Sequence, residues 1–183
     1  MNNIAIIGRV DFIFNNSGIL KVKRLSGTED QILFELSDEM ADKELPTKIA
    51  ALGEVITRNV KDSEGNHKRM FVRINDFMPA MPASTEFSEV EMDCYIVHKK
   101  ALRTTPKGKV IIDVILAYND DDKSYYPQAI AWGRHAHIIN ALPVGTKVHI
   151  KGRYQSRQYH KSSDPDGMDR TAYEISIMEV KYV

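Results

Sequence analysis

Cationic side chains and a tyrosine occupy every second position of one segment in the second half of the chain. The residues on this face are Lys151, Arg153, Gln155, Arg157 and Tyr159, opposite Ile150, Gly152, Tyr154 and Ser156. In an extended strand, residues two positions apart lie on the same face. Lysine and arginine neutralise phosphates, and tyrosine rings stack on nucleobases. Because every base offers a flat face, this combination predicts binding of a single-stranded nucleic acid with little sequence preference.

A second segment, Tyr125 to Trp132, adds aromatic residues. A period of two places Tyr126, Gln128 and Trp132 on one face of a predicted strand, and Arg134 follows at the start of a helix-like segment. We therefore interpret Tyr126 and Trp132 as further stacking residues. The alternative is that both aromatics belong to a core and that the basic strand is only a solvated face, since a single tryptophan is often buried.

The chain repeats one order of elements. Residues 49–60 and 148–159 share the spacing of a glycine, a β-branched or aromatic residue, a hydroxyl, an arginine and an apolar residue. Each copy follows a Leu-Pro pair and a short helix-like segment, 37–44 in the first half and 134–141 in the second. A polar turn and a returning strand come after each copy. We expect an all-β fold with short helices, built as two consecutive five-stranded OB-fold barrels.

The composition changes between the two copies. Residues 77–88 are rich in Met, Pro, Ala and Ser and show no period, which is typical of a linker. This predicts an N-terminal OB-fold at residues 1–78, a linker at 79–88 and a C-terminal single-strand-binding domain at 89–183.

The overall charge does not favour nucleic-acid binding by the whole surface. Lys and Arg number 25, as do Asp and Glu, so binding must rest on local patches. All eight tyrosines and the single tryptophan follow residue 90, which makes the second half the better candidate. The lone cysteine, Cys94, excludes an internal disulfide and is expected to be buried. The first residues lack the pattern of a secretory signal, and we expect a cytoplasmic protein.

Residues 91–183 resemble the bacterial single-stranded-DNA-binding proteins. The motifs that carry the resemblance are Tyr126-Pro-Gln-Ala-Ile-Ala-Trp132-Gly133-Arg134, which looks like the family's third strand entering the helix, and residues 145–159, which look like its fourth strand. The resemblance implies a protein that binds single-stranded DNA in replication, recombination or repair.

The resemblance also assigns roles to residues. It implies base stacking by Tyr126, Trp132 and Tyr159, and phosphate contacts by Lys151, Arg153 and Arg157, with Arg134 as a weaker match. The segment from Tyr159 to Tyr173 corresponds to the family's strand-wrapping loop and supplies His160, Lys161 and Arg170.

Two departures from the family are visible. The family usually carries Gly-Arg near the end of its first strand, where this chain has His98-Lys99-Lys100. The family's chain normally continues into an acidic-tipped tail that recruits partner enzymes, whereas this chain ends in a predicted strand. We therefore expect no recruitment of partners through an acidic tail.

The first half begins Asn3-Ile-Ala-Ile-Ile-Gly8-Arg9, which also resembles the family's first strand. The face equivalent to the basic one is mostly apolar, with one cation and one anion: Ala50, Leu52, Glu54, Ile56, Arg58 and Val60. We hypothesise that this barrel replaces a dimer partner or lines an oligomer interface, so that a dimer would present four barrels. The opposing hypothesis gives the first half its own binding site at Lys21, Lys23, Arg24, Lys68, Arg69 and Arg73.

Catalytic chemistry is not predicted. The His and Cys residues are scattered without zinc-ligand spacing, and motifs for nucleotide hydrolysis, acyl transfer or zinc proteolysis are absent from the sequence. We expect no metal, no cofactor, no membrane contact and no enzyme activity. A second candidate function is an interaction module akin to primosomal replication protein N, with weak nucleic-acid binding. RNA remains an alternative ligand, because stacking and phosphate contacts do not require deoxyribose.

Overall fold

The computed structural model describes residues 1–62, 65–120, 123–159 and 169–183. Alternation of apolar and polar residues produces its strands. In the segment Glu29–Leu36, for example, Asp30, Ile32, Phe34 and Leu36 are buried and the residues between them are not. The first half folds into the strands β1 (Asn2–Phe14), β2 (Ser17–Lys23), β3 (Glu29–Leu36), β4 (Lys48–Asp62) and β5 (Gly65–Pro79).

The strands of the first half close into a barrel. β1 pairs with β2 on one side and with β4 on the other. β3 joins β2 to β5, the latter in parallel, and β4 pairs with β5 to complete the circuit. Leu20, Phe34 and Val72 are fully buried, so the first half has an apolar core.

The second half repeats this circuit. Its elements are β6 (Phe87–Lys99), β7 (Arg103–Thr104), β8 (Val110–Asp120), β9 (Lys123–Tyr125), β10 (Gln128–Trp132), α1 (Gly133–Ala141), β11 (Lys147–Tyr159) and β12 (Arg170–Tyr182). Pairing in the order β6, β8, β10, β12, β11 and back to β6 closes the second barrel, with β10 and β12 parallel. The predicted fold class, two consecutive five-stranded OB-fold barrels, is confirmed. Cys94 is fully buried, and this burial raises the pKa of its thiol to about 12.

Two local expectations differ from the structure. Residues 37–44 form successive turns, in which Met40 N–H donates to Ser37 O and Lys43 N–H to Met40 O, and not a helix. Tyr125 to Trp132 is not one continuous strand, because β9 ends at Tyr125 and β10 begins at Gln128. Pro127 lies in the break, where its ring nitrogen has no proton to donate to a neighbouring strand. The one helix of the described residues, α1, is too short to cross a membrane.

Gly53 and Gly152 occupy equivalent positions in the two halves and have the same local geometry. Each pairs beside a register shift, Gly53 opposite Ile74 and Gly152 opposite Ile177. An added Cβ would lie 2.1 Å from the carbonyl oxygen of Arg73 at the first glycine and 2.5 Å from that of Ser176 at the second. Both positions therefore require glycine for the same reason, namely the close approach of the neighbouring backbone.

An antiparallel pairing of β1 with β6 joins the two barrels. Ile4 lies opposite Val90, and the same two residues pair with Gly53 and Gly152 in their own barrels. Ile4 and Val90 are thus equivalent residues that face each other, as they would across the two-fold axis of a dimer. The chain has the pseudo-two-fold arrangement of an isologous interface within one polypeptide.

Two further contacts follow the same pseudo-symmetry, and we call the surface between the barrels the seam. The Tyr126 N–H donates to Thr57 Oγ1 at 3.0 Å, and the Gln31 N–H donates to Ser156 Oγ at 2.8 Å. Strand pairing makes Gln31 the equivalent of Tyr126, because each lies three residues before a matched parallel pair. Each barrel therefore donates a backbone N–H to a hydroxyl of the other.

Candidate nucleic-acid interface

The cationic strand predicted from the sequence is β11. Its residues Ile150, Gly152 and Tyr154 are buried, whereas Lys151 and Arg153 are half-buried and Arg157 is exposed. We call Lys151, Arg153 and Arg157 the β11 cation row.

Trp132 shares a cavity with two residues of this row. The cavity has a volume of ≈ 540 Å³, and we call it the Trp132 groove. The second barrel lines it with Trp132, Arg153, Gln155, Ser156, Arg157, Gln158 and Ser176, and the first barrel with Lys21, Arg24, Thr28, Glu29 and Gln31. The groove thus lies at the seam and combines an aromatic ring with cations from both halves.

Arg153 is a poorly compensated cation in this groove. Its Nη2 donates to Gln155 Oε1 at 3.2 Å, whereas its buried Nε has no hydrogen-bond partner. Desolvation lowers the pKa of Arg153, and the nearby charge of Arg24 lowers it further. Arginine nevertheless remains protonated at neutral pH. The nearby Asp30 carboxylate acts on this pKa in the opposite direction, so the charge of Arg153 is offset only in part.

Arg24, from the first barrel, is held at the groove by Asp30. The Arg24 Nε donates to Asp30 Oδ2 at 2.6 Å, and the Ser156 N–H donates to Asp30 Oδ1 at 2.9 Å. The Asp30 side chain is fully buried. Asp30 therefore ties β11 to the first barrel and also offsets the charge of Arg24.

Two other cavities adjoin the groove through the same row. One, of ≈ 600 Å³, shares Arg24 and Arg153 with the groove and extends to Lys151. The other, of ≈ 190 Å³, shares Arg157. The β11 cation row consequently borders three adjoining cavities.

The remaining predicted site residues lie elsewhere. Tyr126 does not line the Trp132 groove but lies at the seam, where the Lys68 Nζ is 4.0 Å from its ring centroid. Tyr159 is half-buried at the end of β11, with the Arg157 guanidinium carbon 5.7 Å from its ring centroid. Arg170 is its register partner on β12, and Arg134 is exposed in the first turn of α1. Lys161 and His160 lie outside the described residues.

Sequence reasoning did not assign Lys21 and Arg24 to the same site as Trp132. It considered them only as cations of a separate site in the first half. The spacing of residues within one strand identifies a shared face, but it carries no signal for which face of another barrel lies opposite.

The equivalent surface of the first barrel is neutralised. Glu54 occupies the position that Arg153 has in the second barrel, and it accepts a hydrogen bond from Arg73 at 2.8 Å. Glu35 accepts two bonds of 2.6 Å from Arg58 and one of 3.2 Å from Arg73. These arginines are already paired with carboxylates. In the β11 cation row, Lys151 Nζ likewise lies 3.2 Å from Glu91 Oε1 and Arg157 Nε lies 3.6 Å from Glu174 Oε1. Among the described residues, the difference between the two faces therefore rests on Arg153, which makes no ion pair within 4 Å.

The sequence profile of the single-strand binding protein family matches residues 88–183, which is just over half of the chain. The chain belongs to the single-strand binding protein family. The resemblance noted from residues 91–183 is thereby confirmed. Members of the single-strand binding protein family are DNA-binding proteins without catalytic activity, in agreement with the expectation that the chain is not an enzyme.

Solved structures of the single-strand binding protein family resemble the whole chain. The wild-type single-stranded DNA binding protein from Thermus aquaticus has a TM-score of 0.72 at 18% identity, and the match covers 100% of this chain and 93% of that protein. A deletion mutant of the Thermus protein also has a TM-score of 0.72, at 15% identity, over 100% of this chain and 94% of the mutant. At these identities the likeness concerns the fold.

PriB from Ralstonia solanacearum is a more limited match. It has a TM-score of 0.39 at 16% identity and covers 51% of this chain and 95% of its own. The sequences of curated proteins gave no significant match.

Proposed function

We propose that this protein binds single-stranded DNA without sequence preference, with the strand lying along the β11 cation row and a base stacked on Trp132. Membership of the single-strand binding protein family supports single-stranded DNA as the ligand. The observation that carries the binding mode is the shared groove, in which Trp132 lies with Arg153 and Arg157.

The chemistry of the groove suits this ligand. A single strand presents phosphates along one side and unpaired bases along the other, so it needs cations beside an aromatic face. Arg153 and Arg157 would neutralise phosphates and release their counterions, while the half-buried Trp132 would contact a base. Stacking tolerates any base, which accounts for the expected lack of sequence preference. Such binding would serve replication, recombination or repair.

Titration of Trp132 fluorescence tests the proposal. Trp132 is the single tryptophan of the chain, so quenching reports directly on the groove. We expect oligo-dT to quench it at low salt, higher salt to weaken the quenching, and duplex DNA of equal length to leave it unchanged. Absence both of quenching and of gel retardation by single strands would contradict the proposal and favour a protein-interaction module.

We further propose that the first barrel acts as a built-in dimer partner and that its outer sheet face mediates self-association. Strand pairing places Met78, Ala50, Ile7 and Phe87 in one row across β5, β4, β1 and β6. Met78 is 62% exposed, and Leu52, on the same outer face of β4, is 59% exposed. Apolar side chains this exposed on one face are typical of an interface.

Self-association through this face would assemble four barrels from two chains. Sedimentation velocity of the wild type and of Leu52→Glu with Met78→Glu tests this. A dimer that becomes monomeric in the double variant supports the assignment. A wild type that sediments as a monomer over the measured concentrations would contradict it.

A further inference from the structure

The lysines in His98-Lys99-Lys100 have different environments. The Lys99 ammonium donates to the carbonyl oxygens of Ile139, Asn140 and Leu142. These carbonyls lie at the end of α1, where the last turn of a helix leaves acceptors unsatisfied. Lys99 therefore caps the helix and is not available to a ligand.

Lys100 belongs to the smallest of the three cavities along the β11 cation row. This cavity, of ≈ 190 Å³, is lined by His98, Lys100, Arg103 and Arg157 together with Asp113 and Glu174. Lys100 is 68% exposed, Arg103 51% and Arg157 50%. Three exposed cations around one cavity exceed the charge of the two carboxylates beside them.

The two acidic residues compensate these cations only in part. Asp113 Oδ2 lies 2.7 Å from Arg103 Nη2 but 3.9 Å from Lys100 Nζ, and Glu174 Oε1 lies 3.6 Å from Arg157 Nε. The cations of these two longer pairs are exposed, so the pairs contribute little to stability, and the nearly buried Glu174 carboxylate keeps its 2.9 Å hydrogen bond from Gln155 Nε2 when Arg157 moves away. Lys100 and Arg157 can therefore turn to a phosphate at small cost to the fold.

This cavity lies next to the Trp132 groove. In the strand register, Trp132 pairs with Ile111, and Ile111 pairs with Arg103. Two strand spacings separate the backbones of Trp132 and Arg103, which is about 10 Å. Arg157 lines both cavities. A strand that binds at Trp132 would meet Arg157 and then Arg103 along one surface.

We propose that Lys100, Arg103 and Arg157 form a second phosphate subsite, which binds the DNA backbone where it leaves the Trp132 groove. The proposal rests on the proposed function, since it extends the same strand. The ligand group is a backbone phosphodiester, because the cavity combines exposed ammonium and guanidinium groups and its lining contains no Phe, Tyr or Trp side chain.

The salt dependence of binding tests this subsite. Oligo-dT affinity is measured by fluorescence anisotropy over a range of salt for the wild type and for Lys100→Gln with Arg103→Gln. The slope of log K against log salt is negative, and each lost single-strand phosphate contact reduces its magnitude by about 0.7. The magnitude of the slope should therefore fall by up to about 1.4 in the double variant. Lys107→Gln is the matched control, since Lys107 is an exposed cation of the same barrel outside this cavity, and its slope should equal that of the wild type.

A second variant changes affinity in the opposite direction. Asp113→Asn removes the carboxylate beside Arg103 and Lys100, and should raise both the affinity and the slope. Circular dichroism melting of each variant verifies that it is folded.

The outcomes separate the two proposals. Wild-type binding with Trp132 quenching, combined with an unchanged slope in the double variant, overturns the subsite and leaves the proposed function standing. An equal loss in Lys107→Gln also overturns it, because the effect would then be one of general charge. A wild type that does not bind single strands overturns both.

Discussion

Thr57 and Ser156 occupy equivalent positions in the two halves of the chain, and each hydroxyl accepts a backbone hydrogen bond from the opposite barrel. The donors, Tyr126 and Gln31, are equivalent as well. One polypeptide therefore contains both halves of a reciprocal contact that two identical subunits would make across a two-fold axis.

This contact predicts a stability loss on either side of the seam. Ser156→Ala leaves the Gln31 N–H without its acceptor, and Thr57→Val does the same to the Tyr126 N–H. Both hydrogen bonds are part-buried, so water can partly replace the lost acceptor, and each variant should lose about 0.5–1.5 kcal/mol. Urea unfolding of each variant measures the change. Ser124→Ala, which removes an exposed hydroxyl bonded to Asn119, should change stability by less than about 0.5 kcal/mol. Equal midpoints for Ser156→Ala and the control would contradict the prediction.

The paired glycines predict a second loss. Gly53→Ala and Gly152→Ala each force a methyl group against a neighbouring carbonyl oxygen. Overpacking of this kind typically costs about 1–3 kcal/mol, and backbone atoms cannot move aside as a flexible side chain can. Gly108→Ala is the control, because its Cβ would meet open space and only its φ of +75° is unfavourable. Thermal melting should show a larger loss at Gly53 and Gly152 than at Gly108.

Arg153 and Arg73 are predicted to differ in their contribution to DNA binding. Arg153→Ala removes a cation of the Trp132 groove and should lower both the oligo-dT affinity and its salt slope, the slope by about 0.7. Arg73→Ala removes the same charge from the first barrel, where Glu35 and Glu54 already hold it. Its affinity should stay close to that of the wild type. Anisotropy titrations under conditions where both variants are folded make the comparison, and an equal loss at Arg73 would show that the first barrel has a binding site of its own.

Asp93 predicts a pH dependence of stability. Its hydrogen bond with His149, at 2.8 Å, lowers the pKa of the Asp93 carboxyl below its ordinary value, and the amino terminus contributes. A carboxyl whose pKa is lower in the folded state stabilises the fold above its unfolded pKa. That contribution is lost as the pH falls through the folded value. Asp93→Asn should therefore be less stable than the wild type at pH 6, and the difference should shrink below the ordinary carboxyl pKa of 3.8.

Urea unfolding at several pH values measures this difference. Glu39→Gln, an exposed position, is the control and should show little difference from the wild type at pH 6. A gap between Asp93→Asn and the wild type that is equally large at pH 3 would contradict the assignment.

Much of the fold could be predicted from local pattern. Alternation of apolar and polar residues identified β11, and the shared spacing around Gly53 and Gly152 identified the repeat. Tyr126 shows where the pattern failed. A period of two placed it beside Trp132, but Pro127 interrupts the strand, and Tyr126 contacts Thr57 and Lys68 of the other barrel.

The sequence by itself determined the repeated order of strands and the cation row, because these depend on residues close together in the chain. Only the family resemblance implied that Trp132 belongs to the same site as this row. Only the tertiary structure decided that Arg24 lines the same groove as Arg153, and that Lys99 caps a helix while Lys100 lines a cavity. The physical reason is that these roles depend on which surfaces meet. The β1–β6 register decides which surfaces of the two barrels lie against each other, and it pairs residues that are far apart in sequence. Within the second barrel, nothing in the local sequence distinguishes Lys99, which faces backbone carbonyls, from Lys100, which faces an open cavity.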